Sequence, residues 1–121
     1  MSEPIKSYRD LIAWQKAFGL GLSLHRLVDR LPEHERYGLT AQLRRCAIDV
    51  ASNIARGYGS GSTQDYIWFL KSARGELYKI DTQLLFALEF EYLEDGEYQK
   101  TKSQLDDAER VLAGLIRSLG G

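Results

Sequence analysis

Apolar residues recur at intervals of three and four through almost the whole chain, the spacing of one helical face. Four such runs predict helices over about 8–31, 37–57, 62–92 and 95–119. The second run carries Leu43, Cys46, Val50 and Ile54 on one face, widened by Ala47 and Ala51. Those small residues leave room for a neighbouring helix to come close. The third keeps a strict alternation of four and three at Tyr66, Leu70, Ala73, Leu77, Ile80, Leu84 and Ala87, the seam of a bundle helix. Gly75 interrupts it at a cost of about 1 kcal/mol relative to Ala, and close helix packing is the expected compensation. The fourth run places Tyr98, Thr101, Leu105, Ala108, Leu112, Leu115 and Leu119 on its face.

The ends of these runs carry the expected signals. Ser7 can cap the first helix, with Asp10 three residues on in a variant of the capping box. Pro32 stops that helix, because it lacks an amide hydrogen and disfavours a helical Leu31. Gly57 is expected to end the second helix, where a left-handed residue is wanted. The stretch from Gly57 to Ser62 is the clearest breaker in the chain. Asp65 opens the third helix, and Glu94, Asp95 and Glu97 open the fourth, as the helix dipole prefers. No strand signal is of comparable strength. The reading is an all-α protein, an antiparallel up-down-up-down four-helix bundle that takes residues 1–121 as one domain.

The first helix differs from the others in carrying two apolar stripes. One is Leu11, Trp14, Phe18, Gly21, His25 and Val28; the other is Ala13, Ala17, Leu20, Leu24, Leu27 and Leu31. A helix against one core needs one stripe. Two stripes fit either a deeply buried helix or one that packs within its subunit and also against another chain. On the second reading Trp14, Phe18 and His25, with an exposed Trp68, are the candidate oligomer interface.

Composition narrows the classes of partner. The chain has 121 residues and a formal net charge of −1, so its balance is not that of a strongly basic nucleic-acid binder. Charge is uneven: residues 1–58 hold nine Lys/Arg against six Asp/Glu, and residues 59–121 hold seven against eleven. A single cysteine forms no intrachain disulfide. The opening Met1-Ser2-Glu3-Pro4-Ile5-Lys6 lacks the basic-then-apolar pattern of a signal peptide, and no run approaches the ~20 apolar residues of a membrane span. A cytoplasmic location is expected.

Catalytic and metal chemistry find little support. The di-iron pattern of helix bundles needs Glu-x-x-His pairs, but Leu22 and Leu31 stand three residues before His25 and His34. His25 on an apolar stripe reads as a partly buried packing residue. Cys46 falls on the core face of its helix, away from the electropositive, exposed setting of a nucleophilic thiol. The loop Gly57-Tyr58-Gly59-Ser60-Gly61-Ser62 follows a helix rather than a strand and lacks the closing Lys-Ser/Thr of a phosphate loop. Asp106-Asp107 and Glu89/Glu91 lie on polar faces. The expectation is no enzyme, no cofactor, no metal and no small-molecule substrate.

The central helices carry Arg44, Arg45, Arg56, Lys71, Arg74 and Lys79. With Tyr58 and Trp68 nearby they could form a basic strip for nucleic acid. Internal pairing is the competing reading. In a hairpin centred near residue 60, positions summing to about 120 stand level. That sets Arg44 or Arg45 beside Glu76, and Arg56 beside Asp65.

Several segments carry a family likeness: Tyr8-Arg9-Asp10-Leu11-Ile12-Ala13-Trp14-Gln15-Lys16-Ala17, Leu31-Pro32-Glu33-His34-Glu35-Arg36-Tyr37-Gly38-Leu39, Gln42-Leu43-Arg44-Arg45-Cys46-Ala47, Asn53-Ile54-Ala55-Arg56-Gly57 and Phe69-Leu70-Lys71-Ser72-Ala73-Arg74-Gly75. Through them the chain resembles the bacterial four-helix-bundle proteins encoded by intervening sequences in 23S ribosomal RNA genes. Asp49, Arg56, Glu76 and Lys79 depart from that family's usual residues. The resemblance implies an antiparallel four-helix bundle assembled as a homopentameric ring, with no established biochemical activity. The family is also similar to the accessory proteins of diversity-generating retroelements, which form basic rings and bind nucleic acid and a reverse transcriptase. The expected function is a non-enzymatic, homo-oligomeric scaffold or interaction module. The alternative is an RNA- or DNA-binding accessory protein that uses the basic residues of the second and third helices.

Overall fold

A computed structural model describes residues 4–121; Met1, Ser2 and Glu3, the first part of the signal-peptide reading, lie outside it. Four α-helices form: α1 (Ile12–Leu27), α2 (Leu39–Tyr58), α3 (Thr63–Glu89) and α4 (Asp95–Ser118). Among the described residues there is no strand. No helix is long and apolar enough to cross a membrane. Each helix packs against two others: α1 against α2 and α4, and α3 against α2 and α4. Hence α1 and α3 stand diagonally across the core.

The first predicted helix is shorter than its apolar pattern. Ser7 and Asp10 do form a capping box, but the turn they cap is a separate 3-10 turn, Tyr8–Asp10. The chain is extended at Leu11, and a second 3-10 turn, Val28–Arg30, carries it from α1 to Leu31. The buried face of α1 is the stripe Ala13, Ala17, Leu20 and Leu24, completed by Leu31. Its other stripe is buried only at its two ends, Leu11 and Val28.

Leu43, Cys46, Ala47, Val50 and Ile54 of α2 meet Leu70, Ala73, Leu77, Ile80, Leu84 and Ala87 of α3 in one core. On α4 the buried line runs through Tyr98, Thr101, Leu105, Ala108 and Leu112, then passes to Ile116 while Leu115 and Leu119 stay half-buried. Polar ties link neighbouring helices. Lys102 of α4 bridges Asp81 of α3 and Asp106, each at 3.0 Å. The Asp106 carboxylate, with Asp81, holds the Lys102 ammonium above the ordinary lysine range despite partial desolvation. Lys16 of α1 reaches Asp107 of α4 at 2.8 Å. Lys16 first, and then Arg110, hold that carboxyl below the usual carboxylate range.

Two glycines behave differently from the sequence reading. Gly57 does not end α2 in a left-handed turn; it is buried inside the helix, and Gly59 caps the end at φ −83°. Gly75, at mid-α3, is exposed with nothing within 4 Å of where a Cβ would lie. No helix of the same chain packs on it, so its helix penalty goes uncompensated. Gly75→Ala is therefore expected to stabilise the monomeric fold by about 0.5–1 kcal/mol. A urea midpoint at or below the parent value would contradict this.

Candidate functional site

The half-exposed stripe of α1 and the adjoining face of α2 form an apolar groove. Trp14 begins it, stacked on Phe18 with ring centroids 4.9 Å apart and met edge-on by Tyr8 at 5.2 Å. Gly21 lies deeper: an added Cβ there would come within 3.3 Å of the Ala47 carbonyl oxygen, so α1 and α2 approach closely at this level. Leu22 and His25 continue the α1 wall, while Ala47, Ile48, Ala51, Ser52 and Ala55 supply the α2 wall. The cavity they enclose has a volume of about 360 Å³. Small alanines at intervals of four make its floor, and large side chains make its rim. Ile48 on that rim is 65% exposed.

Arg44 borders the groove at the His25 end. Its Nη2 lies 3.5 Å from Asp29, but its Nε is buried without a hydrogen-bond partner. A buried donor left unpaired costs free energy.

The predicted ion pairs do not form within the chain. Arg44 turns to Asp29 rather than to Glu76, and Arg45 is exposed and unpaired. Glu76 instead lies 3.6 Å from Lys79, one helical turn away. Arg56 does not reach Asp65; its guanidinium sits 4.8 Å over the Phe69 ring. The reason is azimuth. Level positions fix height along the bundle, but each residue step also turns a side chain by about 100°, which points Arg44 toward α1 and away from Glu76. Among the described residues Arg45, Arg56, Lys71 and Arg74 enter no ion pair.

Trp14, Phe18 and His25 thus share one groove, but Trp68 does not belong to it. That indole is on α3, 63% exposed, with Phe69 edge-on at 5.0 Å. His25 is exposed rather than a partly buried packing residue. Cys46 is buried; desolvation pushes its thiol up, and Glu76 nearby adds to the shift. Among the described residues no three His, Cys, Asp or Glu side chains gather in a way that would hold a metal ion.

Two features escaped the sequence reading. Tyr78, Leu85 and Phe86 of α3 and its C-cap residue Phe90 are all about half exposed, a second apolar stripe at spacings of four, seven and eight. The signal was present, but the stronger core seam of the same helix masked it. The other is a polar clasp. The Tyr92 hydroxyl donates to Glu35 Oε2 at 2.9 Å, His34 Nε2 lies 3.2 Å from the same hydroxyl, and the Leu39 amide donates to Glu35 Oε1 at 3.2 Å. This ties the α1–α2 connection to the α3–α4 turn. The Leu39 amide first, and then the Tyr92 hydroxyl, hold the Glu35 carboxyl below its ordinary value.

Residues 9–114 match the family described as 23S rRNA-intervening sequence protein. The chain belongs to that family. The fold agrees with a solved structure, a protein of unknown function from the S23 ribosomal protein family of Bacteroides thetaiotaomicron VPI-5482. The TM-score is 0.81 at 18% identity, over 88% of this chain and 96% of that one. No curated protein matches the chain. The 23S rRNA-intervening sequence family therefore accounts for the four helices and for nearly every segment in which the likeness was legible.

Proposed function

We propose that this protein is a non-enzymatic scaffold, an antiparallel up-down-up-down four-helix bundle that assembles with copies of itself in the cytoplasm. The groove between α1 and α2 carries this reading. A chain that functions alone gains nothing from holding Phe18, Leu22 and Ile48 in water around an apolar cavity. The family resemblance favours a pentameric ring. Light scattering on the purified chain at micromolar concentration is expected to give a multiple of the 13.8 kDa protomer mass, with five as the favoured multiple. A monomer across that range would overturn the reading.

A second reading is supported by Arg45, Arg56, Lys71 and Arg74, basic residues of α2 and α3 that enter no ion pair among the described residues. Freed from carboxylates, they can contact phosphates of RNA or DNA. Binding of a single-stranded oligonucleotide should then weaken steeply as salt rises, and Arg45→Ala with Arg56→Ala should flatten the slope by up to about two counterions. A slope unaltered by both substitutions would reject these residues as the contact.

A further inference from the structure

Between the end of α1 and the start of α4 lies another cavity, of about 270 Å³, with a character opposite to that of the α1–α2 groove. Its walls are polar and basic. Arg26 of α1 and Arg30 of the 3-10 turn that follows it line one side, and Lys100 of α4 lines the other. Ser23 and Gln104 add a hydroxyl and an amide. Among the described residues one carboxylate, Glu97, lines the cavity. Three cations against one carboxylate give it a formal charge of +2, in a chain whose net charge is −1.

Glu97 is already committed. Its Oε1 accepts the Glu94 amide at 3.1 Å and closes the capping box of α4, while its Oε2 lies 2.9 Å from Arg30 Nε. The carboxylate therefore anchors the start of α4 and balances Arg30. Arg26 and Lys100 are exposed and enter no ion pair among the described residues. Two positive charges thus share one cavity without a counter-charge. Like charges held together repel, and an anion placed between them turns that repulsion into attraction.

We propose that this cavity binds the phosphate group of a small phosphate monoester. Charge matches, because a monoester carries about −1.5 to −2 at neutral pH and meets two uncompensated cations. The donors match as well. Guanidinium, ammonium, amide and hydroxyl groups all donate, phosphate oxygens accept, and a guanidinium can meet two of those oxygens with parallel N–H bonds. Size agrees: pockets for drug-sized molecules start at roughly 300 Å³, so a cavity of about 270 Å³ suits a phosphate with a small organic group.

The surroundings select a small ligand over a nucleic-acid strand. A strand needs cations in a track along its backbone. Here the cations line one cavity, and α4 is acidic on either side of it. Glu94 and Asp95 lie within one turn before Glu97, and Asp106 and Asp107 lie within one turn after Gln104. On α1 the nearest lysine, Lys16, is held by Asp107 at 2.8 Å. A polyanion laid along α4 would meet carboxylates in both directions. The cavity shares no residue with the α1–α2 groove or with the cations of α2 and α3, so phosphate binding here depends on neither.

A phosphorus NMR titration of methyl phosphate with the purified chain, at fixed ionic strength, tests this. The resonance should shift and broaden saturably. Arg26→Ala and Lys100→Ala should each weaken binding by about tenfold or more, the loss of one charge-assisted hydrogen bond. Both residues are exposed, so circular dichroism and melting should match the parent. Where an alanine chain does not fold, Arg26→Gln or Lys100→Gln takes its place. Lys100→Arg, which keeps the charge, should retain most of the affinity. Arg117→Ala, which removes an exposed cation from the far end of α4, should bind like the parent. No saturable change through the millimolar range would overturn the proposal. Binding that survives both the Arg26 and the Lys100 substitution would put the anion elsewhere and overturn it equally. Acetate that competes as well as inorganic phosphate would reduce the cavity to a positive patch without preference for phosphate. A single-stranded oligonucleotide is expected not to displace methyl phosphate; displacement at a lower concentration of phosphate groups would make nucleic acid the occupant and overturn the small-ligand assignment.

Discussion

Leu77→Ala is expected to destabilise the fold by about 2–5 kcal/mol, the largest loss for any single side-chain truncation considered. Leu77 is fully buried at mid-α3, the helix that packs on both α2 and α4. Of its seam neighbours Ala73 is already small and Ile80 is itself fully buried, so little side-chain volume is free to swing into the void. Collapse would require α2 or α4 to move inward, and the Lys102 bridge to Asp81 and Asp106 resists this for α4. The cavity should therefore persist and the cost should lie well above the loss of transfer energy alone. Urea denaturation would show a lower midpoint at an unchanged slope. Ile48→Ala makes the contrast in the monomer: it removes a comparable side chain from an exposed position and should shift stability by no more than about 0.5 kcal/mol. If the two substitutions cost the same, the burial pattern assigned to α3 is wrong.

Those two residues also show which parts of the molecule were legible in the sequence. The core seam of α3 is readable because burial repeats: Leu70, Ala73, Leu77, Ile80, Leu84 and Ala87 all fall on one line and all are buried. Periodicity reports how a helix divides inside from outside, and a helix with one strong stripe is read correctly from that alone. It does not report what a second, weaker stripe faces. On α1 the two stripes could be enumerated, yet only packing decides that Ala13, Ala17, Leu20 and Leu24 take the core, leaving Trp14 and Phe18 in the groove. Tyr78, Leu85, Phe86 and Phe90 on α3 were hidden for the same reason. Pairwise electrostatics was the least legible part. Arg44 finds Asp29 in a 3-10 turn that the first predicted helix had absorbed, so the partner's position was unavailable to any argument from helix levels. Long, flexible charged side chains choose among several neighbours at similar energy, and a small change in azimuth redirects them.

Gly57→Ala carries the other large expected effect, and its sign opposes intrinsic propensity. In an exposed helix the substitution would gain about 1 kcal/mol. Here the new Cβ would lie 2.9 Å from Phe69 Cβ and 3.1 Å from both the ring of Tyr66 and its carbonyl oxygen. Two of those three atoms belong to, or adjoin, the α3 backbone, so no side-chain rotation relieves the contact. The start of α3 must move away from α2. That motion disturbs the Arg56 guanidinium over Phe69 and the Ser60 hydroxyl that donates to the Gly57 carbonyl at 2.6 Å in the connecting turn. The expected net loss is about 1–3 kcal/mol, the usual range for overpacking a close contact. Gly75→Ala in the same helical hairpin adds the same methyl group into open space and should move stability the opposite way. Measuring both in one thermal-unfolding series separates packing from propensity, because the backbone entropy lost from the unfolded chain is the same for each. A Gly57→Ala protein as stable as Gly75→Ala would mean that α2 and α3 are not in close contact at this level, and that the small residue there serves only to make the turn.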